Sequence, residues 1–252
     1  MVKTDNIFHT EKLAIGYKKG RATNILMDNI NLSVKRGQMI CLLGANGVGK
    51  STLIRTLARL QPTLEGNVIL LGKNILDYKH KELAQNISLV LTDPIQGGNL
   101  NVLELVQMGR YPHTSWSGQL SSIDDEKVNI AIQQCEIDYI RNSNIFEISD
   151  GQLQKALIAR ALAQDGDLML LDEPTVHLDA NNRFTIMELL KKLVEETGKS
   201  VIISTHQVEM ALELADELWL ASCGDPIVSG KPKELIEKKL IAKMFPYLSK
   251  LS

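Results

Sequence analysis

Short apolar runs near the start of the chain give way to longer patterns with helical spacing further along. In ILMDNINLSV, Ile30, Leu32 and Val34 alternate with polar residues, which predicts a half-buried strand. Two later runs, LMLL at 168–171 and VIIS at 201–204, are apolar throughout, as in strands that helices cover on both faces. The pattern therefore predicts an α/β fold built on a mostly parallel, doubly wound sheet.

A phosphate-binding motif lies between the strand-like run MICLLG and the helix-like run STLIRTLARL. Gly44, Gly49, Lys50 and Ser51 match G-x-x-x-x-G-K-[ST], in which the lysine reaches the β- and γ-phosphates and the hydroxyl ligates Mg²⁺. The backbone N–H groups that would converge on phosphate oxygens belong to Asn46, Gly47, Gly49, Lys50, Ser51 and Thr52. The strand, loop and helix context disfavours a glycine loop with a purely structural role.

Two acids, Asp172 and Glu173, directly follow the apolar run LMLL, at the strand end where open α/β sheets bind ligands. Asp172 suits Mg²⁺, directly or through water, and Glu173 suits activation of an attacking water. His206 follows another core strand and would lie at the same edge of the sheet. Alone, the acids would be a solvated turn and the histidine a helix-end or buried residue. Together with the glycine loop, the two acids predict a catalytic edge.

The pattern changes between residues 92 and about 163, where polar loops separate the helix-like stretches VLELVQMG, DEKVNIAIQQC and GQLQKALIARALA. This change predicts a helical lobe over about 92–163, inserted into a domain that spans 1–230. In the remaining tail, 231–252, the stretch KELIEKKLIAKMF predicts a terminal helix.

Composition narrows the classes of function. The chain has 252 residues, 44% hydrophobic and 23% charged, enough for one domain with an inserted lobe. Its formal net charge is -2 and it has no dense Lys/Arg run, so nucleic acid is not an expected partner. The start lacks a signal-peptide pattern, and no stretch approaches the ~20 apolar residues that span a bilayer, so we expect any membrane role to come through a partner. The cysteines match no metal or disulfide spacing and are expected to be reduced cytoplasmic thiols; they are Cys41, Cys135 and Cys223.

Taken together, the motifs resemble those of the ATP-binding cassette (ABC) family. They follow the family order: glycine loop GANGVGKST, signature ISDGQ, strand segment LMLLDE, D-loop HLD and switch histidine His206. The resemblance covers roughly residues 5–230. It implies a P-loop NTPase (RecA-like) core with an N-terminal antiparallel β subdomain and an inserted α-helical lobe. It also implies hydrolysis of ATP with Mg²⁺, a γ-phosphate contact for His206 and adenine stacking on Tyr17.

The resemblance further implies a head-to-tail dimer that holds two ATP molecules at its interface. By position, Ser149 and Gly151 would contact the γ-phosphate of the ATP bound to the other subunit. Gln152 would begin the signature helix, and Asp179 would lie in the interface loop. A plain helix N-cap at Ser149 is the alternative.

Two positions depart from the family pattern. Asp150 replaces the first glycine of the signature, and we expect its carboxylate to point away from a γ-phosphate. Thr92 stands where the family usually has a glutamine that ligates Mg²⁺ and senses the membrane partner. Either Thr92 reaches the metal through water or Asp93 replaces it.

A single cassette without fused domains resembles the separate ATPase subunit of a transporter. The stretches ELVQMGRYPHTSW and SDGQLQK are similar to cassettes of importers for iron-siderophore complexes, haem and cobalamin. The resemblance implies a polytopic membrane permease, a substrate-binding protein reached through it, and a cytoplasmic position on the inner face of the membrane. The surface for the permease could include Arg110, Tyr111, His113 and Trp116, with ordinary loop packing as the alternative for each.

Two other functions stay open on the sequence alone. One is a soluble ABC ATPase that remodels a cytoplasmic partner. The other is a nucleotide-gated binding module with little hydrolysis, which Thr92 makes conceivable and which Lys50, Glu173 and His206 argue against.

Overall fold

An antiparallel sheet forms the N-terminal part of the chain in the computed structural model, which describes residues 6–20, 22–92, 99–115 and 118–248. Its strands pair in the order β2-β1-β5-β6, and β3 also pairs with β1. The bounds are β1 Asn6–Lys19, β2 Ala22–Ile30, β3 Ser33–Lys35, β5 Glu65–Leu70 and β6 Lys73–Asn74. Ile30, Leu32 and Val34 are buried as their alternation predicted, but the single strand predicted there is interrupted between β2 and β3.

The second sheet is parallel except at one edge and has the order β11-β10-β4-β9-β8-β7. Its strands are β4 Met39–Gly44, β7 Ile87–Val90, β8 Leu168–Asp172, β9 Ser200–Thr205, β10 Glu217–Ala221 and β11 Val228–Gly230. The two uninterrupted apolar runs are the fully buried strands β8 and β9. Their parallel register pairs Asp172 with Ser204, and the ladder between β4 and β9 pairs Leu43 with Thr205. The carboxyl ends of β4, β8 and β9 therefore meet at one edge.

Helices connect these strands and cover the sheet. Their bounds are α1 Lys50–Leu57, α2 His80–Ala84, α3 Val102–Gln107, α4 Ser122–Gln134, α5 Asp150–Ala163, α6 Ala180–Thr197 and α7 Val208–Leu214. Asn101, Ser121 and Ser149 each begin one of the helices α3, α4 and α5 with a reciprocal capping box. These three helices lie in the stretch predicted to be helical. No helix in the described ranges combines the length and the apolarity needed to cross a bilayer.

The two faces of the parallel sheet are covered differently. On one face, Cys41, Met169 and Ile203 pack against the helices α3 to α7. On the other face, Leu42 and Trp219 pack against α1 and against the antiparallel strands. Helices therefore lie on both faces, as predicted, and on the second face α1 shares the surface with the antiparallel β subdomain that the resemblance implied. Tyr17 and Leu26 of that antiparallel sheet line one side of the phosphate-loop region.

The tail contains two short helices where the sequence predicted one. They are α8 Pro232–Glu237 and α9 Leu240–Met244, and Lys239 between them has a left-handed φ of 56°. Leu235 and Ile241 are both buried in the core. One continuous helix would direct these side chains about 120° apart. The break allows both to reach the core.

A buried ion pair ties the helices α4 and α5 together. Arg110 donates from Nε to Oδ1 of Asp124 at 2.8 Å and from a terminal nitrogen to the carbonyl of Ala163 at 2.7 Å. Both charged side chains are less than a tenth exposed. Hydrogen bonds from Ser121, with a further contribution from Arg110, lower the pKa of Asp124 from 3.8 to about 2. Arg110 is thus packed inside the helical layer and does not belong to a docking surface.

We expect Asp124→Ala to lower the free energy of unfolding by about 3 kcal/mol, because it leaves the buried Arg110 guanidinium without its charge partner. Urea unfolding followed by circular dichroism measures this change. Because the pKa is depressed in the folded state, the stabilisation is present above pH ~4 and is lost as the pH falls toward about 2.

The matched control is Asp125→Ala, which removes the neighbouring exposed carboxylate on the same helix. It should change stability by no more than about 0.5 kcal/mol. Equal destabilisation by the two substitutions would contradict a special role for the buried pair.

Candidate active site

The glycine loop connects β4 to α1 at the sheet edge. Gly47 and Gly49 have φ values of 78° and 113°, which lie in the region that favours glycine. Gly49 is the N-cap of α1, and no acidic residue lies in the first turn of that helix. The loop therefore presents backbone N–H groups and the positive end of a helix dipole, a combination that binds anions.

The side-chain ammonium group of Lys50 lies inside this loop. Its side chain is 5% exposed, and Nζ donates to the carbonyls of Gly44 at 3.0 Å and Ala45 at 3.3 Å. Nζ also lies 3.3 Å from Oε1 of Glu173. The ammonium is therefore held at the point where phosphate oxygens would enter the loop.

Asp172 joins three elements through one buried carboxylate. It is 2% exposed, and its Oδ1 accepts from the hydroxyl of Ser51 at 2.9 Å and from the hydroxyl of Ser204 at 2.6 Å. Ser51 lies in the first turn of α1, and Ser204 lies opposite Asp172 on β9. The carboxylate and the Ser51 hydroxyl thus place two oxygen atoms 2.9 Å apart at the edge of the sheet.

Glu173 bridges Lys50 and His206 at this edge of the sheet. Oε1 contacts the ammonium of Lys50 at 3.3 Å, and Oε2 lies 2.9 Å from Nδ1 of His206. The backbone of Glu173 has a left-handed φ of 46°, a strained conformation for a residue other than glycine. Its N–H is bound by the carbonyl and the hydroxyl of Ser204 at 3.1 and 2.9 Å. The strained turn therefore aims the carboxylate across the mouth of the loop.

Tyr17 lies on β1 next to the start of α1. Its hydroxyl is 2.7 Å from Oγ1 of Thr52, and about half of the side chain is exposed. It lines a recess of about 430 Å³ together with Leu26, Asn46, Gly47, Gly49, Lys50, Ser51, Thr52 and Glu173. An aromatic face beside a phosphate loop can stack on a nucleotide base.

Thr92 lies on the other side of Glu173. It lines a cavity of about 720 Å³ with Asp150 and Glu173, between α5 and the turn that follows β8. Glu173 therefore separates this cavity from the phosphate-loop recess. Asp93, the alternative to Thr92, lies outside the described residues.

The signature residues and Asp179 lie away from the recess, and none of them is among the described residues that line it. Ser149 is the N-cap of α5, as the alternative interpretation required, and it exchanges hydrogen bonds with Gln152. Asp179 is the N-cap of α6 and accepts from the backbone of Asn182 at 2.8 Å. Within one chain, the phosphate loop and the exposed starts of α5 and α6 therefore lie apart.

The donor set fits Mg²⁺ at the sheet edge. The magnesium ion usually takes one or two protein oxygens and completes its shell with phosphate oxygens and water. The Ser51 hydroxyl and the Asp172 carboxylate, 2.9 Å apart, supply such oxygens. Within the described ranges, no cluster of three or more His, Cys, Asp or Glu side chains forms a complete metal cage.

Two residues of this region escaped the sequence analysis. Ser204 orients both acids, and its signal was the pair of hydroxyl residues, Ser204 and Thr205, that ends the apolar run VIIST. Asn182 binds both oxygens of Asp179, and no sequence motif distinguished it from its neighbour Asn181. The Ser204 contacts depend on the register between β8 and β9, which a local pattern does not encode, whereas the Asn182 contact is a local N-cap contact three residues from Asp179.

The fold and the site define a class: a P-loop nucleotide hydrolase with an additional helical layer between its two phosphate motifs. The profile described as "ABC transporter" matches residues 27–176, more than half of the chain. The chain therefore belongs to the ABC transporter family.

Relatives and a solved structure agree with this assignment over most of the chain. The ferric enterobactin transport ATP-binding protein FepC of Escherichia coli is 36% identical over 93% of this chain and 85% of its own length. The iron(3+)-hydroxamate import ATP-binding protein FhuC of Bacillus subtilis is 32% identical over 95% of this chain and 88% of its own length. A bacterial ABC transporter cassette, solved as a dimer, superimposes with a TM-score of 0.76 at 27% identity, covering 89% of this chain and 98% of that one.

We expect Glu173→Gln to retain ATP binding and to hydrolyse ATP at least ~100-fold more slowly, because an amide cannot accept a proton from water. Phosphate release and equilibrium binding of a fluorescent ATP analogue measure the two properties. Glu126→Gln, on the exposed side of α4, is the control and should keep the rate of the unchanged chain. A Glu173→Gln variant with unaltered hydrolysis would remove this carboxylate from the chemistry.

Proposed function

We propose that the protein is the ATP-hydrolysing subunit of an ABC importer for substrates of the iron-siderophore, haem or cobalamin type. In this proposal, closure of a dimer around ATP powers a separate membrane permease. The observation that carries the chemistry is the Glu173 carboxylate between Lys50 and His206 at the mouth of the phosphate loop. The near full-length similarity to siderophore and iron-hydroxamate transport subunits supports the importer class.

Each residue of the edge has a role in this proposal. The loop N–H groups and Lys50 bind the phosphates, and Tyr17 stacks on the base. Glu173 accepts a proton from the attacking water, and its contact with Lys50 must loosen when phosphate takes up the ammonium. His206 holds the second oxygen of Glu173 and orients the carboxylate toward the γ-phosphate.

Magnesium has a defined place in the proposal. Ser51 and Asp172 would hold the ion, which when bound would neutralise charge on the β- and γ-phosphate oxygens. Ser204 keeps the Asp172 carboxylate in position through its hydroxyl. Thr92 faces a different cavity, so we assign it at most a water-mediated contact.

A second copy of the chain completes each site. Ser149, Gly151 and Gln152 lie at the start of α5, and Asp179 lies at the start of α6. Since these residues do not line the phosphate-loop recess of their own chain, we assign them to the nucleotide held by the partner subunit. A helix start with small residues can approach a γ-phosphate closely.

The permease would dock in a groove of about 410 Å³ beside the helical layer. Leu60 and Tyr111 are more than half exposed, and both line it with Met108. The charged or ionisable residues lining it are His80, Arg59 and Arg160, with no acid among the described lining residues. The groove therefore suits an amphipathic permease helix with an acidic residue. His113 binds the carbonyl of Gln164 and supports this wall, whereas Trp116 lies outside the described residues.

Only the similarity to importer subunits supports the proposed substrate and substrate-binding protein. Relatives that carry the names of ferric enterobactin and iron(3+)-hydroxamate systems point to a metal chelate. The permease and a substrate-binding protein would select it, and this chain would sit on the cytoplasmic face of the membrane. A soluble ATPase that remodels a cytoplasmic partner is the alternative function, and it is not favoured by these relatives.

Mixed dimers test the composite site. We expect Ser149→Asp to cut hydrolysis at least ~100-fold, because it keeps a good N-cap but sets a carboxylate against the partner's γ-phosphate. Lys50→Ala should be inactive for a separate reason. Mixing the two variants rebuilds one complete site in each mixed dimer, so phosphate release should partly return.

Ser149→Asn is the matched control, since asparagine caps a helix as well as aspartate does but carries no charge. It should lose far less activity than Ser149→Asp. Cross-linking in the presence of the membrane partner confirms that mixed dimers form before recovery is measured. Normal turnover by Ser149→Asp alone would contradict the assignment of the signature.

Co-purification tests the docking groove. We expect Leu60→Asp to reduce recovery of a polytopic membrane protein at least ~10-fold, because a charge would be buried at an apolar contact. ATP binding should stay unchanged. Leu76→Asp is the control, because Leu76 is similarly exposed (55% against 60% for Leu60) and lies outside the groove. Recovery of a soluble protein in place of a membrane protein would favour the alternative function.

A further inference from the structure

Gly151 has no backbone reason to be glycine. It lies in the first turn of α5, and its φ is outside the left-handed region that disfavours other residues. Alanine is the better helix former at such a position. A reason for glycine at this position must therefore lie in the space around it.

The neighbour that fills this space belongs to the same chain. A Cβ atom built on Gly151 would lie 2.9 Å from Oδ1 and 3.0 Å from Cγ of Asn182. A Cβ essentially never approaches another heavy atom to 2.9 Å, so a side chain at position 151 would require this amide to shift. The amide of Asn182, on α6, therefore occupies the volume that a side chain at position 151 would need.

The amide of Asn182 is hydrogen-bonded to the carboxylate of Asp179. Its Nδ2 donates to Oδ2 of Asp179 at 2.7 Å, and its backbone N–H donates to Oδ1 of the same carboxylate at 2.8 Å. Asn182 thus holds both oxygens of Asp179 while its own Oδ1 faces Gly151. A side chain at position 151 would therefore press on an amide that is hydrogen-bonded to Asp179.

We infer that Asn182 is a positioning residue that locks the start of the signature helix to Asp179. Through it, the two helix starts that face the partner subunit move as one body. Gly151 is glycine because it must admit this amide. The effect on hydrolysis rests on the proposed function, whereas the contact itself does not.

A double-mutant cycle in the purified full-length chain tests the inference. Gly151→Ala should lower the melting temperature by about 2–4 °C in the unchanged chain. In the Asn182→Ala background the same substitution should raise it, because the amide is gone and alanine favours the helix. Melting temperatures that shift equally in the two backgrounds would overturn the contact.

Hydrolysis provides the second readout of the cycle. Gly151→Ala should slow ATP hydrolysis at least ~10-fold by displacing both helix starts. The double variant should match Asn182→Ala alone within about threefold, since the steric cause has been removed. Asn181→Ala, which changes the exposed neighbouring side chain, should behave as the unchanged chain.

The two hypotheses fail in different ways. If the double variant stays as slow as Gly151→Ala although its melting temperature recovers, the partner's nucleotide alone requires the glycine, and the positioning role of Asn182 is wrong. If the unchanged chain neither hydrolyses ATP nor dimerises with it, the proposed function is wrong. In that case the melting temperatures still decide whether Asn182 locks the two helix starts.

Discussion

The buried carboxylate of Asp172 is the interaction on which the rest of the site depends. A buried charge is costly unless hydrogen bonds satisfy it, and here the hydroxyls of Ser51 and Ser204 do so. Because these partners lie on α1 and β9, the carboxylate fixes the first turn of the phosphate-loop helix against the sheet edge. Ser204 also binds the N–H of Glu173, so the same cluster supports the strained turn that follows β8.

That strained turn explains how the edge is prepared for nucleotide. Glu173 spans Lys50 and His206, so the ammonium within the loop is already balanced by a carboxylate. In the proposed function, entering phosphate oxygens compete with Glu173 for Lys50 and leave its carboxylate available to water. Lys50 and Glu173 therefore exchange one polar partner for another when phosphate enters. This exchange limits how far the polar groups of the site must reorganise for catalysis.

Local motifs predicted the parallel sheet, the phosphate loop and the acids at the end of β8, because each depends on neighbouring residues in sequence. The break at Lys239 was not predicted, since only packing of both Leu235 and Ile241 against the core requires it. The resemblance implied the antiparallel β subdomain, but its packing against the second face of the parallel sheet was not predicted, because periodicity indicates that a face is buried but not what buries it. Arg110 looked like a surface residue in sequence, yet its partner Asp124 lies on another helix.

The charge at the start of α5 disfavours binding of an anion by this helix alone. The capping box uses the N–H groups of Ser149 and Gln152, so the first-turn donors left for an anion are those of Asp150 and Gly151. Asp150 adds a negative charge at the same turn, although its side chain lines the cavity beside Thr92. A phosphate would therefore meet few donors and an acid there, in contrast to the glycine loop with Lys50. In the proposed function, the signature turn therefore acts on a γ-phosphate that a second chain brings already bound to its own lysine, and dimer closure is part of the chemistry.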